Sequence, residues 1–147
     1  MDNFKFIYVT YIASSPEKLW DALINPAMTT KYWQHVNLSD WKPGSKWEHR
    51  SADDEHALHL TGNVIEFVPA KKLVLSWVFP ANYTNENMHS QVTLDIEPYK
   101  NVVRLIITHD KLEHDSDMFE GIIKGWPIVI SSLKSLLETG QALPKLW

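Results

Sequence analysis

The chain has 147 residues and a mass of 17.0 kDa, a length at which one domain buries its own core without disulfide or metal staples. Its 14 Lys and Arg against 18 Asp and Glu give a net charge of −4 with the basic residues scattered, which excludes the basic face of a specific nucleic-acid binder. No apolar run suffices for a membrane span, no basic-then-apolar leader opens the chain, and the lack of cysteine excludes thiol chemistry; a cytoplasmic location is expected.

Residues 4–12 read as a strand rich in aromatic and β-branched types, apolar on both faces. Ser14 and Glu17 have the spacing of a capping box, and Pro16 suits a first helical turn. Leu19, Trp20, Leu23 and Ile24 follow at helical spacing. Asn25-Pro26 ends that helix and caps a second short one, which runs to about Trp33.

From residue 36 to 111 no helix is expected. Pro43-Gly44 fits the centre of a type II turn. Trp47 to Arg50 reads as a strand, Asp53-Asp54-Glu55 as a charged hairpin tip, and 58–68 as a further strand with Gly62 at a bulge. Leu73, Leu75, Trp77 and Phe79 alternate along the next strand, and 80–88 is the longest polar loop. Val92, Leu94 and Ile96 alternate with polar residues, as in a strand wet on one face, and 102–110 is the last strand. Short strands and short turns imply an antiparallel meander.

The C-terminal segment is the clearest element. Phe119, Ile122, Trp126, Val129, Leu133 and Leu136 step by three and four, which predicts a helix over 117–138. Asp117 and Glu120 are the expected cap pair, and Gly140 is the expected stop. Pro127 falls on the polar face and is expected to bend the helix around the core. The order strand, helix pair, strands, long helix gives an α+β class. A curved antiparallel sheet of six or seven strands is expected to grip the final helix, with residues 1–147 as one domain. The open end of such a grip, beside the two short helices, is the expected ligand cavity.

Several stretches in this order resemble one family. They are Ser15-Pro16-Glu17-Lys18-Leu19-Trp20-Asp21-Ala22-Leu23, Tyr32-Trp33, Trp41-Lys42-Pro43-Gly44-Ser45, Gly62-Asn63-Val64-Ile65-Glu66, Leu73-Val74-Leu75-Ser76-Trp77, Thr108-His109, and Gly125-Trp126-Pro127 with Leu133-Lys134-Ser135-Leu136-Leu137-Glu138-Thr139-Gly140. The chain is similar to the family named for the C-terminal domain of the activator of heat-shock protein 90 ATPase. That family belongs to the birch-pollen-allergen/START-like helix-grip superfamily. The resemblance implies a general binder of small hydrophobic molecules. It also leaves open a chaperone or other protein partner, and the cyclase or hydrolase activity of some superfamily members.

The residues themselves carry no catalytic motif. His56 and His59, read as one strand, point to opposite faces, and His109 and His114 are five apart, so no metal-ligand set converges and no cofactor is expected. His109 reads as a half-exposed strand residue near the cavity, and Asp110 and Glu113 as solvated loop charge. The chain's seven Trp are many for its length, and they fit either a core of large residues or an aromatic-lined cavity. The candidate cavity residues are Trp33, Trp47, Trp77, Phe79, His109, Ile122 and Trp126. The expected ligand is a small hydrophobic or aromatic molecule. An indole N–H left without an acceptor inside the fold would be available to it.

Overall fold

The computed structural model describes residues 3–146. Its elements are β1 (Asn3–Ile12), α1 (Pro16–Ile24), α2 (Pro26–Trp33), β2 (His35–Ser39), β3 (Lys46–Ser51), β4 (Leu58–Val68), β5 (Lys72–Trp77), β6 (Ser90–Tyr99), β7 (Val102–Glu113) and α3 (Asp117–Thr139). The strands form one sheet in the order β1-β7-β6-β5-β4-β3-β2, and every neighbouring pair is antiparallel. α1 and α2 connect the two edge strands, and α3 packs into the sheet's inner face. This is the expected α+β helix grip, with seven strands.

Local chemistry sets most boundaries. Asn25 Oδ1 accepts from Ala27 N at 3.0 Å, and Pro26 opens α2 without a missing donor. Lys42 O accepts from Ser45 N while Gly44 holds φ at +91°, as a type II turn requires at its third position. Gly140, at φ +85°, closes α3 by donating to Leu136 O. Tyr32 donates its hydroxyl to Ala22 O at 2.8 Å and ties α2 to α1 inside the core.

Both expected helix caps shift by one residue. Ser15, not Ser14, caps α1 by accepting from Lys18 N. Ser116, not Asp117, caps α3 by accepting from Phe119 N at 3.0 Å, which leaves Asp117 and Glu120 as favourable charges in the first turn. His35–Ser39 was not anticipated as a strand. The last strand extends to Glu113, so Asp110 and Glu113 lie on it rather than in a loop. The polar loop at 80–88 contains two short 3-10 turns, Pro80–Asn82 and Glu86–Met88. β1 is apolar on both faces, yet Ile7, Val9 and Tyr11 point outward and are exposed, because β1 is an edge strand covered on one side only.

Gly62 is no bulge. It pairs in register with Trp47, and the irregularities fall between Val64 and Glu66 and between Leu58 and Leu60. A Cβ on Gly62 would lie 2.0 Å from Ser76 O and 2.7 Å from Trp47 Nε1. Its lack of a side chain admits the bond from Trp47 Nε1–H to Ser76 O, 2.8 Å long.

α3 runs unbroken through Pro127. Ile122, Trp126, Val129, Ile130 and Leu133 are buried on its inner stripe. Its C-terminal end is clamped to β1. Glu138 accepts from Ala13 N at 2.8 Å and pairs with Lys134 at 2.7 Å, and Lys134 also donates to Tyr11 O. No helix of the described residues is long and apolar enough to cross a membrane.

Candidate functional site

The grip does not close completely. A cavity of about 310 Å³ lies between the N-terminal half of α3 and the strands β2 to β5, within the size range of small-molecule sites. Three indoles wall it: Trp33 at the end of α2, Trp77 at the end of β5 and Trp126 on α3. Trp126 lies 5.7 Å from Trp33 and 5.4 Å from Trp77, centroid to centroid. Ile122 and the exposed Phe79 also line it. Trp47 lies deeper, beside a separate void of about 20 Å³.

Two glycines of α3 face the same space. Gly121 and Gly125 are one helical turn apart, and a Cβ on either meets nothing within 4 Å. Glycine inside a helix costs about 1 kcal/mol relative to alanine. No close neighbour demands it here; Gly125 is half-buried on the cavity wall, and Gly121 is exposed at its rim.

His109 is not a lining residue. It is fully buried in a closed network, contrary to the half-exposed expectation. Trp126 Nε1–H donates to its Nδ1 at 3.1 Å. Ser90 Oγ–H donates to Trp77 O at 2.7 Å, so the Ser90 oxygen accepts from His109 Nε2–H at 2.8 Å. Burial pushes the imidazole down to about 3, and the neutral ring serves as a spacer between Trp126 and β6. Trp77, by contrast, has a buried indole N–H with no acceptor among the described residues.

The polar wall was not legible as a unit. His35 on β2, His49 on β3 and His59 on β4 all line the cavity. His35 and His49 stack at 4.4 Å with an interplanar angle of 7°, and His35 Nε2 lies 3.0 Å from His59 Nδ1. The strand irregularity between Leu58 and Leu60 places both His59 and Leu60 on the cavity. His56 lies outside β4, in the preceding turn at φ +49°, so the expected alternation of His56 and His59 along one strand does not apply. Burial pushes His35 below its ordinary pKa, opposed by its bond to Trp33 O. Burial, followed by the neighbouring His35 and His59, holds His49 well below its own. His114 sits apart on the surface, against Phe4 and Asp115. Among the described residues no group of three or more His, Asp or Glu is arranged to hold a metal.

The sequence model of one family, described as Activator of Hsp90 ATPase homolog 1-like protein, matches residues 13–138. The chain belongs to that family. Solved structures agree on the fold. Protein MLL2253 from Mesorhizobium loti is 23% identical, with a TM-score of 0.73 over 91% of this chain and 96% of that one. The Aha1 dimer protein from Colwellia psychrerythraea is 22% identical, with a TM-score of 0.72 over 97% of this chain and all of that one, 100%. CalU16 from Micromonospora echinospora is 17% identical, with a TM-score of 0.72 over 92% of this chain and 77% of that one. No curated protein sequence matches the chain. Membership supports a ligand-binding or cyclase-like domain of this superfamily and identifies no ligand.

Proposed function

We propose that this protein binds a small, flat, apolar or aromatic molecule in the cavity between α3 and the sheet. The carrying observation is an unfilled cavity walled by Trp33, Trp77 and Trp126, with open space beside the half-buried Gly125. A fold that only needed a core would fill that space, because unfilled apolar volume costs packing energy. Trp33, Trp77 and Trp126 offer ring faces and edges to an aromatic guest. The closed His109 network holds Trp126 in place, which keeps the wall rigid before anything binds. The chaperone reading rests on the family's description alone, and a cyclase or hydrolase reading would draw on the three histidines and Asp117 that line the cavity.

Calorimetric titration with naphthalene derivatives tests the reading. Wild type is expected to bind at least one of them. Gly125→Leu places a side chain in the hollow without a backbone clash and is expected to abolish binding while the far-ultraviolet circular dichroism stays unchanged. Equal binding by both proteins would place the guest elsewhere and sink the assignment.

A further inference from the structure

The polar wall of the cavity specifies what its guest must carry. Trp33 O and Asn37 Oδ1 can only accept, so His35 Nδ1 and His49 Nδ1 each hold the hydrogen of their bonds, 2.8 and 2.6 Å long. Neutral His35 then presents Nε2 as an acceptor, which His59 Nδ1–H fills at 3.0 Å. All three Nδ1 atoms are engaged donors, and the free positions are lone pairs. His59 is exposed, so water meets its Nε2. His49 is different. It is 3% exposed, and its Nε2 meets no hydrogen-bond partner among the described residues. The stack on His35 and the bond to Asn37 fix its ring. Because burial and two neighbouring imidazoles keep His49 neutral, that lone pair persists. The ring as a whole is buried, but Nε2 itself is not sealed off, and His49 lies on the wall of the cavity, so its unpartnered lone pair is open to a donor from a guest.

We propose that His49 Nε2 accepts a hydrogen bond from a hydroxyl of the bound aromatic molecule, so that the site selects hydroxylated aromatics over the corresponding ethers and hydrocarbons. The proposal rests on the binding reading above and deepens it. Trp33 and Trp77 flank the acceptor, with ring centroids 4.7 and 6.2 Å from His49, so a ring lying against the indoles can bring a substituent to Nε2. A cationic donor fits less well. The charges bearing on the histidine wall are Lys145 and Asp53, which oppose each other at His35. Asp53 and the lining carboxylate Asp117 are both exposed. Nothing buried there balances an ammonium.

Calorimetry with naphthol, methoxynaphthalene, naphthalene and naphthalenemethylammonium separates the outcomes. Naphthol is expected to bind at least about tenfold more tightly than methoxynaphthalene, which has no hydrogen to give that acceptor. Joint replacement Asn37→Leu with His49→Phe removes both partners of one bond and keeps a flat ring, and the naphthol preference is expected to collapse. A second measurement needs no variant. The nitrogen NMR resonance of His49 Nε2 is expected to move with naphthol and to stay with methoxynaphthalene. Equal affinity of wild type for naphthol and its ether, a preference that survives the double replacement, or tighter binding of the ammonium compound overturns the hydroxyl assignment and leaves the cavity reading standing. Failure of all four compounds to bind overturns both.

Discussion

His109 shows how far a single residue can depart from its sequence context. Its place near the end of a strand, before the loop into α3, suggests partial exposure, although alternation from Leu105 and Ile107 sets its side chain on the inward face. What buries it are Trp126 and Ser90, distant along the chain, each bonded to one ring nitrogen. The consequence is a dependence of stability on pH. With a folded value of about 3 against 6.5 when unfolded, the unfolded chain takes up the proton first as pH falls. Above pH 6.5 the ring adds no pH dependence; from there down to about pH 3 stability is lost steadily. The full loss is on the order of 5 kcal/mol, at 1.36 kcal/mol for each unit of difference. His49 acts in the same direction. His109→Gln keeps a donor and an acceptor but cannot titrate. It is expected to cost about 1–2 kcal/mol near neutrality and to flatten the acid limb of stability. Urea unfolding over a series of pH values reads both effects, and an unchanged acid limb would mean the ring is not buried in its neutral form.

At the level of elements, the sequence was informative where periodicity was local. The three-four stripe of α3, the alternation of β6 and the Asn25-Pro26 junction each arise within one element, and all three stand as read. β2 escaped because His35–Ser39 is five residues long with mixed burial, too short to show a period. The histidine wall escaped for a different reason. His35, His49 and His59 sit on three strands, and one of them reaches the cavity beside a register irregularity set by neighbouring strands. No spacing rule within one strand announces such a convergence. Pro127 is the remaining question at this scale. It lacks the N–H that would bond to Ile123 O, yet α3 continues through it. Packing of Trp126, Val129 and Ile130 on the sheet therefore outweighs the proline penalty of about 3 kcal/mol. Pro127→Ala restores the donor, and a gain of about 1–3 kcal/mol is expected in thermal unfolding. Slower amide exchange across that turn should accompany it. A loss of stability instead would show that the helix needs the proline's geometry to follow the sheet.

For the whole molecule, stability and binding should pull in opposite directions. Seven strands and α3 form a continuous core, but a cavity remains beside the N-terminal half of α3, with open space next to Gly125. Filling the hollow should therefore stabilise the fold. Gly125→Leu removes a helix-interior glycine, a gain of about 1 kcal/mol. It also buries an aliphatic side chain, a further contribution of about 1.5–3 kcal/mol. The two wall indoles should behave unequally when cut away. Trp126→Ala removes a ring and also the donor that His109 Nδ1 relies on, so the full loss of about 3–5 kcal/mol is expected. Trp77→Ala removes a ring whose N–H has no partner, and relief of that orphan offsets part of the loss, leaving less than about 3 kcal/mol. A bound aromatic compound acts by mass action, adding about 2.7 kcal/mol at a hundred times its Kd. Wild type should show that rise in Tm, whereas Gly125→Leu should start from a higher Tm and show none. Thermal unfolding of the four proteins, each with and without naphthol, gives all of these quantities. If Gly125→Leu is destabilised, equal full losses appear at Trp77 and Trp126, and naphthol moves nothing, then the grip is closed in solution. The molecule would then have to act through its outer surface, where the exposed Ile7, Val9 and Tyr11 of the edge strand β1 are the first place to look for a protein contact.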